Sequence, residues 1–116
     1  MHLNDYQMLA QRTSPIGHDR ILNGVMGMAG EAGECVDHLK KSMFQGHELD
    51  REKLKKELGD VMWYCAELAT GLGVCLDDVA EANIKKLMTR YPHGFTPEDS
   101  IRRVDVNEGE KASAGM

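Results

Sequence analysis

Aromatic residues make up only 5% of this 116-residue chain, and β-branched runs are few. Sheets draw on both, so a β architecture is disfavoured. Cysteine is equally scarce. Cys35, Cys65 and Cys75 are odd in number and form no Cys-x-x-Cys pair, which argues against a disulfide framework or a zinc knuckle. All three lie in apolar helical stretches and read as reduced core thiols of a cytoplasmic protein. No apolar run is long enough to span a membrane. Residues 1–7 (MHLNDYQ) lack the basic and apolar regions of a signal peptide. A basic excess is missing too: 14 Lys and Arg stand against 19 Asp and Glu, for a net charge of −5. Duplex-binding proteins usually show the reverse, so nonspecific nucleic-acid binding is disfavoured.

What is present suggests one helical domain. Hydrophobic residues reach 41%, enough for a modest core that oligomerisation would help to complete. Residues 3–12 read as a short helix beginning near Asn4 or Asp5. Thr13 to His18, with Pro15 and Gly17, read as a loop, and His18-Asp19 as a loop pair. Residues 20–44 read as a long helix interrupted every third position by Gly24, Gly27, Gly30 and Gly33. Each interior glycine costs roughly 0.5–1 kcal/mol relative to alanine. Close helix packing and room for a ligand are both adequate reasons, and a kink is expected near Gly24–Gly30. After a turn at 45–49, Asp50 is placed as the N-cap of a helix running to about Gly71. Leu54, Leu58, Val61, Cys65, Leu68 and Leu72 alternate spacings of four and three, which predicts a packing seam. Glu57, Asp60, Tyr64 and Glu67 fall on the neighbouring stripe. A further helix over about 78–91 is expected, capped by Asp77 or Asp78. From Thr96 the pattern fades. Ile101 and Val104 are expected to pack back onto the body, and residues 105–116 read as a disordered tail beyond a domain of residues 1–104.

Two acidic pairs carry the chemistry: Glu31 with Glu34, and Glu57 with Asp60. Residues three apart share one face of a helix. The ordinary reading of one such pair is solvated surface charge. Two pairs on consecutive helices, the first set among Ala29, Gly30, Ala32 and Gly33, point instead to four carboxylates converging on a cation. The Glu-x-x-His motifs of a ferritin-like di-iron site are absent, and zinc prefers Cys and His. All-carboxylate ligation favours Mg2+, with Mn2+ as a substitute. Asn83, Lys86 and Arg90 line one stripe of the later helix and could face a phosphate. A solvated basic face near a helix C-terminus explains them equally well. Lys41 is a weaker form of the same idea. Tyr64 could pack on a base or sugar, or in the core, whereas Trp63 reads as packing.

These residues resemble the MazG-like family of all-α nucleoside triphosphate pyrophosphohydrolases. The matching segments are GMAGEAGECVDHLKK (27–41), LDREKLKKELGDVMWY (49–64) and VAEANIKKLMTRYPHGF (79–95). The family signature is E-x-x-E, a spacer, then E-x-x-D. It is met by Glu31 and Glu34, then Glu57 and Asp60, with 22 residues between. The resemblance implies a four-helix bundle completed by oligomerisation into a homodimer or homotetramer. It implies hydrolysis of the α–β bond of an NTP or dNTP, with Mg2+ held by the four acids. It also implies phosphate contacts at Asn83 and Lys86, with Arg90 matching in residue type. Glu34 is the expected catalytic base. Tyr64 and Lys41 complete the expected substrate-binding set. Two other readings stay open: a non-catalytic nucleotide-binding oligomerisation module, and a pyrophosphohydrolase of phosphoribosyl nucleotides.

Overall fold

The computed structural model describes residues 1–15 and 17–106. Its described residues form five helices and no strand: α1 (Leu3–Gln11), α2 (Arg20–Phe44), α3 (Arg51–Gly71), α4 (Leu76–Arg90) and α5 (Pro97–Arg102). The chain divides into two compact units, residues 1–77 and residues 78–116.

In the first unit α2 and α3 form a helical hairpin, and α1 packs on α3. Local chemistry sets its ends. Asp19 caps α2, accepting from the N–H groups of Ile21 and Leu22 at 3.0 and 3.1 Å. Asp50 caps α3 through the Lys53 N–H at 3.1 Å, as expected. Its own N–H donates to His38 Nε2 at 3.0 Å, which ties the hairpin turn to α2. Gly46 supplies the positive φ, +73°, that the turn requires.

The expected kink in α2 does not occur, because the helix is continuous from Arg20 to Phe44. Gly24 and Gly27 are there for close approach. A Cβ on Gly24 would lie 2.7 Å from Leu68 Cβ, and one on Gly27 2.1 Å from Tyr64 Cε1. Gly30 and Gly33 face open space. Of the expected seam on α3, Leu54, Val61, Cys65 and Leu68 are half-buried, and the deepest burial lies on the stripe beside it. Ala66, Glu67 and Ala69 are buried, whereas Leu58 and Leu72 are 59% and 57% exposed. Small residues on α2 admit Tyr64 and Leu68 of α3, while Leu58 and Leu72 at the ends of the seam face outward.

The start of α4 is made by distant residues. Leu76 N–H donates to Gln7 Oε1 at 2.8 Å, and Asp77 N–H to Asn4 Oδ1 at 3.0 Å. Orphan N–H groups of a first turn are thus satisfied by α1. Asp77 and Asp78 lie inside the helix and are not its cap.

In the second unit, α5 was not anticipated. Thr96 caps it by accepting from Asp99 N–H at 3.1 Å, with Pro97 in its first turn. Ile101 does not pack back, being 83% exposed. Asp105, placed by sequence at the start of the tail, is gripped by Arg90. Arg90 Nε and Nη2 donate to its two carboxylate oxygens at 2.7 and 2.9 Å. Of the expected tail, residues 107–116 lie outside the described residues.

Candidate metal centre

The hairpin sets the acidic residues of α2 against those of α3. Glu31, Glu57 and Asp60 each bring a carboxylate oxygen to within 4.8 Å of the other two. Glu34 stands to one side, against Glu57. Contact with Glu57 is the main cause that pushes the Glu34 carboxyl above its usual range. Contact with Glu31, followed by burial, does the same to Glu57. A cation among these carboxylates would offset the crowding of like charge.

Whether the residues fit a cation is decided by their unpaired atoms. Glu31 Oε2 and Glu57 Oε2 are buried and have no hydrogen-bond partner. An acceptor shielded from water and left without a donor is unfavourable, and a cation would satisfy both oxygens. Oxygen-only donors of this kind suit a hard divalent ion such as Mg2+ or Mn2+. Among the described residues, no His or Cys joins the cluster. The acids therefore fit such an ion.

Two open cavities flank the acids, both within the first unit. One, of about 350 Å³, is lined by Glu31, Asp60, Trp63 and Tyr64. The other, of about 310 Å³, is lined by Glu34, Asp37, His38, Lys41, Lys53 and Glu57. Tyr64 and Lys41 thus lie beside the acids. Lys41 is also held by Asp37 at 3.0 Å, an i, i+4 pair. Asn83 and Lys86 sit exposed on α4, in the second unit. Arg90, on the same helix, has its guanidinium engaged by Asp105.

The polar centre that the sequence reading missed is Glu67. Its side chain is wholly buried. It accepts from Ser14 Oγ at 2.8 Å and Asn23 Nδ2 at 2.8 Å. His18 Nε2 lies 2.7 Å from it, and Arg20 Nε 3.5 Å. Burial would raise the Glu67 carboxyl, but the bonds from Asn23, His18 and Ser14 hold it below the usual glutamate value. His18 Nδ1 also meets the Pro15 carbonyl. Glu67 therefore anchors the loop between α1 and α2. That loop in turn reaches Trp63, whose Nε1 donates to Thr13 Oγ1 at 2.8 Å and to Ala10 O at 3.1 Å. A usable signal existed: Glu67 continues the Glu57–Asp60–Tyr64 stripe between two alanines, Ala66 and Ala69.

Comparison with known proteins agrees with the helical architecture. The model of the MazG nucleotide pyrophosphohydrolase domain matches residues 21–95, which contain all four acidic positions. The chain is 37% identical over 105 residues to the Gene 37 protein of Mycobacterium phage L5, covering 81% of this chain and 92% of that protein. No solved structure matches. A helical hairpin carrying both acidic pairs, inside a matched segment that spans more than half of the sequence, places this chain in the MazG nucleotide pyrophosphohydrolase domain family.

Proposed function

We propose that the protein is a Mg2+-dependent nucleoside triphosphate pyrophosphohydrolase. It cleaves the α–β bond of an NTP or dNTP to the monophosphate and pyrophosphate, in nucleotide-pool house-cleaning in the cytoplasm. The observation that carries this reading is the meeting of Glu31, Glu57 and Asp60, with two buried carboxylate oxygens lacking any donor.

Glu31, Glu34, Glu57 and Asp60 would hold the metal, Mg2+ or in its place Mn2+. A bound ion of this kind neutralises triphosphate oxygens and makes a water more acidic. The chain's own residues do the rest. A water oxygen attacks the α-phosphorus in line as the bond to the bridging oxygen breaks, and pyrophosphate departs. The Glu34 carboxylate takes the proton of that water. Asn83 and Lys86, exposed on α4, are assigned to the phosphates. Arg90, on the same helix and held by Asp105, is assigned with them. The working form is a homodimer or homotetramer, supported by the apolar side chains that α2 leaves exposed, among them Leu22, Met26 and Phe44.

Replacing Glu34 or Asp60 by Ala is expected to abolish Mg2+-dependent pyrophosphate release while leaving helical circular dichroism unchanged. Retained turnover in either variant, across a panel of NTPs and dNTPs, would sink the assignment.

A further inference from the structure

We propose that His18 is a pH-sensitive latch. As an imidazolium it clasps the Pro15 carbonyl and the Glu67 carboxylate together, and loss of its proton releases the loop between α1 and α2. None of Glu31, Glu34, Glu57 and Asp60 takes part, so the latch does not depend on the pyrophosphohydrolase reading.

The two ring nitrogens carry the proposal. His18 Nδ1 meets the carbonyl oxygen of Pro15, which can only accept. His18 Nε2 lies 2.7 Å from Glu67 Oε2. A neutral imidazole has one N–H and can donate to one of these oxygens, whereas the imidazolium donates to both. Glu67 is the acceptor in its pair. Ser14 Oγ donates to its Oε1 at 2.8 Å, and Asn23 Nδ2 to its Oε2 at 2.8 Å. Burial alone would raise this carboxyl, but the bonds from Asn23, His18 and Ser14 hold it below its usual value. It therefore brings no proton of its own to the bond with His18.

The charges around the ring decide which partner lets go. From α3 comes Glu67. From α2 comes Arg20, whose Nε stands 3.5 Å from Glu67 Oε1 and donates to Gln11 Oε1 of α1 at 3.1 Å. Asp19, next to His18 in the chain, spends one oxygen on the Ile21 and Leu22 N–H groups. Arg20 stays on Glu67 after His18 has lost its proton, so the carboxylate remains ionised while the loop is freed.

The latch reaches the candidate metal centre through Thr13. The His18 side chain is 25% exposed, so its proton exchanges with solvent without unfolding. The same loop holds Thr13, whose Oγ1 accepts from Trp63 Nε1 at 2.8 Å. Trp63 lines one cavity with Glu31 and Asp60. Histidine changes charge between about pH 5 and 8. The clasp exists only where Glu67 has lost its proton and His18 has kept its own. Its contribution is present on the mildly acid side of that range and is lost as the pH rises.

The full chain, labelled with heavy nitrogen in its five histidines, is titrated by NMR from about pH 6 to about pH 8.5. The His18 signals are assigned by their loss in His18→Gln. Emission of Trp63, the one tryptophan in the chain, is read over the same range. At the acid end both His18 ring nitrogens are expected to carry protons. As one proton is lost, Trp63 emission is expected to move to longer wavelength with the same midpoint. In His18→Gln the emission is expected to stay constant. A neutral His18 at the acid end, emission that ignores its titration, or an equal emission change in His18→Gln would overturn the latch. Each of these leaves the proposed function to stand or fall on pyrophosphate release. If His18→Gln does not fold, His18 is assigned through the backbone, and coincidence of the two wild-type midpoints decides.

Discussion

Glu67 shows how a buried charge is kept ionised. Its carboxylate has no exposed surface, yet Asn23, Ser14 and His18 turn toward it from α2 and from the loop before it. Removing one partner of such a group leaves the others unpaired, so Glu67→Ala is expected to destabilise the fold by about 3 kcal/mol, read from the urea midpoint. The acid limb of the stability curve gives a second measurement. Because the folded carboxyl lies below its ordinary value of 4.5, its contribution is present above that pH and is lost as the pH falls through the folded value. Glu67→Gln should flatten that loss. At this scale the meeting of the acids was legible and the Glu67 centre was not. Glu31, Glu57 and Asp60 announce themselves because spacing along a helix fixes the face they share. The partners of Glu67 lie 44 to 53 residues away in sequence, and no local spacing encodes that.

At the scale of the elements, the glycines of α2 divide into two kinds. A Cβ on Gly24 would meet the Leu68 backbone nitrogen as well as its side chain, at 2.8 and 2.7 Å, so neither helix can yield cheaply. Gly24→Ala is expected to cost about 1–3 kcal/mol by forcing α2 from α3. Gly30→Ala, which meets nothing within 4 Å, should instead stabilise by about 0.5–1 kcal/mol through helix propensity alone. Thermal melts of the two variants should move in opposite directions. The every-third pattern showed that small residues were needed without showing where. Depth of packing depends on what α3 presents, and its Leu58 and Leu72 turned outward. The first turn of α4 escaped for a related reason, since its cap comes from α1. The signal for α5, by contrast, was local and available in Thr96, Pro97, Glu98 and Asp99.

For the whole molecule, the apolar side chains left outside are the main unfinished business. Met26 is 69% exposed and Phe44 76% exposed, both on α2. Association of copies through such surfaces is expected to give a sedimentation mass of two or four chains. Met26→Lys should shift that distribution toward the monomer, and a wild-type chain that sediments as a monomer at micromolar concentration would contradict the proposed assembly. No described helix is long and apolar enough to cross a membrane, as composition had indicated. The capping of α4 by Asn4 and Gln7 bears on how the chain folds in time. The amides that finish its first turn are separated from it by 73 and 69 positions. Loop closure over such a distance is slow relative to helix growth. The opening turn of α4 is therefore complete only where α1 is in place. A shortened N-terminus would thus fray a helix about seventy residues away.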